Sequence, residues 1–151
     1  MTSQLDNEDF VAEFRVALRL RHPSMTAAEI TGGVGVAPAT AWSVGDQRVS
    51  PRRDLLGGTR SDTYWCAYLY ETSDLELSEA LAENLDYLDD VASFMEEFTA
   101  SGGVAEYFVA LFVKGNGGAV IDHSVLQRMA AKKIALALDL YATTRTGGPS
   151  Q

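Results

Sequence analysis

The stretch FVAEFRVALRLRHP, residues 10–23, decides the fold. Phe10, Ala12, Phe14, Val16, Leu18 and Leu20 recur at every second position, with Glu13, Arg15, Arg19 and Arg21 between them. A period of two is the pleat of a β-strand, so this segment has one apolar face to bury and one face carrying guanidinium groups. The strand ends at His22-Pro23, because proline cannot donate to a ladder. Ser24 or Thr26 can then cap a short helix over Ala27 to Thr31, and Glu29 stands three residues after Thr26, in capping-box position. Gly32, Gly33 and Gly35 read as the stop of that helix.

Such a strand needs partners, and the rest of the chain offers them. Residues 63–71, TYWCAYLYE, alternate with Tyr64, Cys66, Tyr68 and Tyr70 on one face and Trp65, Ala67 and Leu69 on the other. Residues 105–114, AEYFVALFVK, are the strongest strand, and Ile134 to Ala142 alternates again, with Ile134, Leu136, Leu138 and Leu140 inward and Asp139 and Tyr141 outward. Between residues 36 and 62 the pattern is irregular, with a short strand expected near Ala41 to Val44 and otherwise a long loop. Leu77, Leu81, Leu85, Leu88, Ala92, Met95 and Phe98 follow spacings of four and three, which predicts one helix over 75–99 that stops at Ser101-Gly102-Gly103. Asp122 or Ser124 caps a further helix that runs to about Lys133, with Val125 and Met129 inward. The order strand, helix, strand, strand, helix, strand, helix, strand indicates an α+β fold: an antiparallel sheet with helices packed on one face, a ferredoxin-like sandwich. The expected organisation is a flexible N-terminus over 1–9, a single domain over 10–142 and a flexible C-terminal tail over 143–151.

The chain has 151 residues, 46% of them apolar and 22% charged, enough to bury a core without covalent staples. Its net charge of −9 argues against nucleic acid and against anionic membrane surfaces as partners, because both are held by Lys and Arg. The charge is uneven. Residues 61–113 contain 12 acids and no Lys or Arg, whereas the first strand and the 48–60 segment are locally basic. With one cysteine, Cys66, there is no intramolecular disulfide and no cysteine-based metal site. A polar, acidic beginning and no apolar run of membrane-spanning length point to a cytoplasmic protein.

Familiar catalytic constellations do not assemble. No glycine loop ends in Gly-Lys-Ser/Thr. His22 and His123 flank turns without a second histidine at ligand spacing. Asp122-His123-Ser124 holds the residue types of a triad, but side chains of adjacent residues diverge, and the segment reads as a helix N-terminus. Cys66 has no basic neighbour in sequence to activate it. Acids along the long helix read as a solvated face. The sequence therefore nominates no catalytic residue, no metal ligand and no cofactor, and leans away from an enzyme.

The irregular segment carries a resemblance. Ala28-Glu29-Ile30-Thr31, then Gly35-Val-Ala-Pro38-Ala-Thr40-Ala-Trp42-Ser-Val-Gly45-Asp46, then Tyr64-Trp65, and finally Ala137-Leu138-Asp139-Leu140-Tyr141 resemble, in that order, the pattern of the bacterial domain-of-unknown-function family 4279 (DUF4279). The likeness spans about residues 10–142; the Pro51 to Asp62 segment looks inserted, and Ala39 stands where a polar residue is common. It implies a bacterial α+β domain and assigns no activity. In physical terms Pro38, Gly45 and Asp46 are turn builders, while Trp42 and Trp65 either plug the edge of the core or wall a pocket.

Helices on one face leave the other face of the sheet bare. Alternation assigns Arg15, Arg19, Arg21, Trp65, Glu106, Phe108, Phe112, Asp139 and Tyr141 to it. Phe108 and Phe112 in water call for a cover, because contiguous exposed apolar patches mark interaction sites. Three covers fit: the 47–62 loop folded over them, a homodimer packed sheet to sheet, or a pocket in which Arg15 or Arg19 anchors a small anion. The candidate ligand-binding residues are Arg15, Arg19, Trp42, Asp46, Trp65, Asp139 and Tyr141. The leading expectation is a non-enzymatic binding or interaction domain working through this face. The alternatives are an immunity-like protein whose acidic helix covers a basic toxin, and an enzyme using Asp46, Trp42 and an arginine of the first strand on an anionic substrate.

Overall fold

In a computed structural model, which describes residues 13–71 and 75–143, the opening strand lies in the middle of the sheet. The elements in chain order are β1 (Glu13–His22), α1 (Ala27–Val34), β2 (Thr40–Trp42), β3 (Gln47–Val49), β4 (Leu55–Thr59), β5 (Thr63–Glu71), α2 (Leu77–Asp89), α3 (Ala92–Ala100), β6 (Val104–Lys114), α4 (His123–Ala131) and β7 (Ile134–Thr143). Five strands form one sheet in the order β2-β5-β1-β6-β7, and β3 and β4 form a separate hairpin. Phe10 and Ala12, expected on the first strand, lie outside the described residues.

The α+β class is as expected, but the sheet is mixed, not antiparallel throughout. β1 pairs antiparallel with β5 and β6, whereas β6 and β7 run parallel, from Ala105↔Ile134 to Lys114↔Thr143. The cause is connectivity: α4 carries the chain back to the end at which β6 begins, and a strand reached through a crossover helix enters parallel.

The alternation of β1 has the predicted consequence. Phe14, Val16, Leu18 and Leu20 are buried in one cluster with Ile30 and Val34 of α1, Leu81, Leu85 and Leu88 of α2, Met95 and Phe98 of α3, and Val125 and Met129 of α4. All four helices of the described residues therefore cover the same sheet face. Fully burying one such aliphatic side chain contributes about 1.5–3 kcal/mol.

Four local expectations change. α1 does not stop at Gly32 and Gly33 but runs to Val34, with the left-handed cap at Gly35 (φ 82°) and the Thr26–Glu29 capping box at its start. Gly33 serves packing instead, since a Cβ there would collide with the Phe94 ring, and glycine lets α3 lie against α1. The long helix breaks into α2 and α3 around Asp90 and Val91, where consecutive carboxylates at Asp89 and Asp90 oppose the negative end of the helix dipole. The segment expected to be a loop contains the β3–β4 hairpin, whose ladder residues are all exposed. Last, Leu138 and Leu140 share the helix-side face with Val109 and Leu111 yet are exposed, because the helices do not reach over the edge strand.

His22 is buried where β1 meets the α3–β6 turn. Its Nδ1 accepts backbone N–H groups from Ser24 (3.0 Å) and Met25 (2.8 Å), so the ring proton resides on Nε2, facing Ser101 Oγ at 2.8 Å. Ser101 Oγ donates in turn to Glu97 O. Burial holds the imidazole below its ordinary value of 6.5, against the opposing charge of Glu29. A depressed histidine contributes stability that is complete above the unfolded value and is lost as pH falls below it. The fold should therefore hold constant stability above pH ~7 and weaken as pH drops through ~6.5, ahead of the carboxylates. In chemical denaturation across that range, His22→Asn should lack this early slope; an identical slope in the variant assigns it elsewhere.

Gly33→Ala should force the Phe94 ring aside and cost about 1–3 kcal/mol, the usual range for overpacking. Gly32→Ala, with open space around its Cβ, is the control and should be near neutral or stabilising. Equal melting temperatures for the two variants would contradict the close approach.

Candidate functional site

The sheet face that no helix of the described residues covers is paved by side chains that the register sets side by side. Its rows read Trp42–Tyr64–Arg21, then Cys66–Arg19–Glu106, then Tyr68–Ala17–Phe108, then Arg15–Ala110–Asp139, then Glu13–Phe112–Tyr141. Ala17, Cys66 and Ala110 are buried although no helix of the described residues covers them, because their larger neighbours lie across them.

Those neighbours form guanidinium–ring stacks. The Arg19 Cζ lies 4.1 Å from the centre of the Phe108 ring, Arg21 lies 4.7 Å from Tyr64, and Arg15 lies 5.3 Å from Phe112. Phe112 stacks on Tyr141 at 4.9 Å, and Trp42 stacks on Tyr64 at 4.7 Å. Arg60, at the root of the hairpin, completes this second stack, 3.8 Å above the Trp42 ring. A cation over a ring face is worth about 0.5–1 kcal/mol when exposed, so the stacks mainly fix where the guanidinium groups point. Arg19 is also ion-paired with Glu106, and Arg21 lies 3.5 Å from Asp62.

The sequence-nominated residues divide three ways. Arg15, Arg19, Asp139 and Tyr141 share the open face, and the hydrogen bond and charge of Asp139 push the Tyr141 phenol above its ordinary range. Trp42 reaches the same face at the opposite corner. Asp46 does not join them: it is exposed at the hairpin root, where its Oδ2 accepts the Ser43 N–H at 2.9 Å and its carbonyl accepts the Arg60 N–H at 2.8 Å.

Trp65 departs from expectation. Alternation assigns it to the open face, yet it is wholly buried on the helix side, opposite Leu20, with its indole N–H donating to Thr31 Oγ1 at 3.0 Å. β5 carries aromatics on both faces, and a one-residue ambiguity inverts every side chain. Tyr64 and Tyr68, whose hydroxyls tolerate water, take the outer face instead, and Tyr68 is 58% exposed. Burial is the main reason the Tyr64 phenol is raised above its usual range. Arg60 is absent from the sequence-nominated set, since nothing in a linear reading links it to Trp42 before the hairpin brings them together.

The hairpin does not fold over Phe108 and Phe112, the first of the three expected covers. Its strands form a sheet of their own and are exposed throughout, closed by Ser50 N–H to Asp54 O at the tip and by Gly45 and Asp46 to Arg60 at the root. A cleft among the described residues lies away from this face. It runs between α3 and the end of α4, lined by Met95, Glu96, Thr99, Lys132 and Lys133 among others. No three His, Cys, Asp or Glu side chains among the described residues converge as metal ligands, and no helix among them is long and apolar enough to cross a membrane.

On the opposite side the helices carry the acid. Arg128 bridges Asp86 (2.8 Å) and Asp89 (3.1 Å), and Lys132 pairs with Asp89, whose carboxyl is held below its ordinary range chiefly by the Lys132 hydrogen bond. Glu96 and Glu97 on α3 are exposed.

These features define an α+β domain with one helix-covered sheet face and one open, arginine- and aromatic-lined face. The chain belongs to the family described as Domain of unknown function (DUF4279), whose model matches residues 12–143. No curated protein and no solved structure matches it.

The placement of Trp65 makes its role structural. Thr31→Val should leave a buried indole N–H without an acceptor and cost about 1–3 kcal/mol. Urea unfolding measures this, and an unchanged midpoint would contradict the burial.

Proposed function

We propose that the protein is a non-enzymatic interaction domain that docks a protein partner on its open sheet face. The observation that carries this reading is the concentration there of Trp42, Tyr64, Tyr68, Phe108, Phe112 and Tyr141 interleaved with Arg15, Arg19, Arg21 and Arg60. Aromatic residues and arginine are the types enriched in the buried centres of protein interfaces. Their mutual stacking holds long side chains in place before a partner arrives, which lowers the ordering cost of association. The surface is a sheet face and not a cleft, which favours a macromolecule over a small anion. Balanced pairs such as Arg19–Glu106 leave it without the surplus of positive charge that nucleic acid requires.

A second reading has its own observation. The acids of α2 and α3 outnumber the bases near them, so this side fits a basic protein, in the manner of an immunity protein covering a toxin. An enzymatic reading through Asp46, Trp42 and an arginine of β1 has less support, because the Asp46 carboxylate is engaged in its own turn by the Ser43 N–H.

Comparative capture from cells of the native host separates the first two readings. A partner of the open face should be retained by wild type and by Glu96→Lys/Glu97→Lys. It should be lost, by about thirtyfold in affinity for a central aromatic anchor, with Phe112→Ala or Tyr68→Ala. Retention by the face variants with loss on the charge-reversed helix supports the acidic-side reading and sinks the first.

A further inference from the structure

We propose that the free edge of β7 pairs antiparallel with the same strand of a second copy, joining two five-stranded sheets into one of ten. The two edges of the sheet are built in opposite ways. β2, at one edge, has three residues and follows Pro38, both ordinary means of blunting an edge. β7, at the other, runs for ten residues, IALALDLYAT, with one charge, no proline and no lysine. Its outer edge has no strand beside it among the described residues. Leu138 is 54% and Leu140 65% exposed, on the side of the sheet where every inner strand buries its apolar residues. A long, flat, apolar edge is a template for another strand, and natural proteins cover it.

Charge and self-complementarity select a second copy as the cover. Two molecules of net charge −9 repel over most of their surfaces, but β7 carries a single charge, Asp139. Along this edge like chains can approach with little acidic repulsion. An antiparallel pair related by a two-fold axis at Leu138 sets Leu138 against its equivalent, Leu136 against Leu140, and Asp139 against Ala137. No like charges then stand directly opposite, and the exposed leucines bury one another. The chain's own flanking residues are poorer candidates. Asp6, Glu8 and Asp9 would bring acids to Asp139, and Gly147-Gly148-Pro149 are weak strand formers.

This inference stands on the edge alone and is independent of the open-face partner. Sedimentation velocity of the full chain, from micromolar to sub-millimolar concentration, tests it together with Leu138→Lys and Leu140→Lys. Both leucines are exposed in a single copy, so the variants should fold, as far-UV circular dichroism would register. The expected result is a two-copy mass for wild type and association weakened by about tenfold or more in each lysine variant. A two-copy mass that survives both lysines overturns the proposal, as does a single-copy mass throughout. In the latter case, protection of β7 amides from hydrogen exchange would place a segment of the same chain on the edge.

Discussion

The structure depends on one constraint: the central strand β1 must bury one set of alternate side chains beneath the helices, which turns its charged set to the other face. Phe14, Val16, Leu18 and Leu20 lie beneath the helices, so Arg15, Arg19 and Arg21 emerge on the far side. Because β1 pairs on both edges, this parity is imposed on β5 and β6, and through β6 on β7. A slip of one residue would expose the core of every strand at once, which is why the register is firmly specified. The open face is thus a by-product of covering the other, and its chemistry is set by what can live beside three arginines in partial contact with water.

That chemistry is a compromise between packing and solvation. Small residues at Ala17, Cys66 and Ala110 let the large ones lie flat, and each arginine spreads its guanidinium over a ring on the next strand. The acids of the chain are kept largely off this face and concentrated on the helices, where Arg128 and Lys132 bridge some of them. The molecule is therefore two-sided in charge as well as in architecture. A net charge describes neither side.

Much of this is legible in the sequence because it rests on local periodicity. The parity of β1, the capping box at Thr26, the apolar stripe from Leu77 to Phe98, and the strands at 105–114 and 134–142 all repeat a pattern that geometry dictates. What is not legible depends on contacts distant in sequence. The face of β5 cannot be read while Trp65 and Tyr64 are equally able to fill the core; the acceptor at Thr31 decides it. The parallel pairing of β7 is a matter of route. The exposure of Leu138 and Leu140 reflects how far the helices extend, and the hairpin over 47–59 is held by backbone bonds that side-chain patterning does not reveal. Of the nominated site, the four residues carried by strong strand periodicity reach the open face, whereas Asp46 in the irregular segment is part of a turn.

The most direct measurement is hydroxyl-radical footprinting of the purified protein, read residue by residue by mass spectrometry. Tyr68, Phe112 and Tyr141 should be modified readily, and Trp65, Phe98 and Tyr107 should be protected until the fold is denatured. Protection of Tyr68 and Phe112 equal to that of Trp65, or ready modification of Trp65, would contradict a sheet with one covered face and one open one.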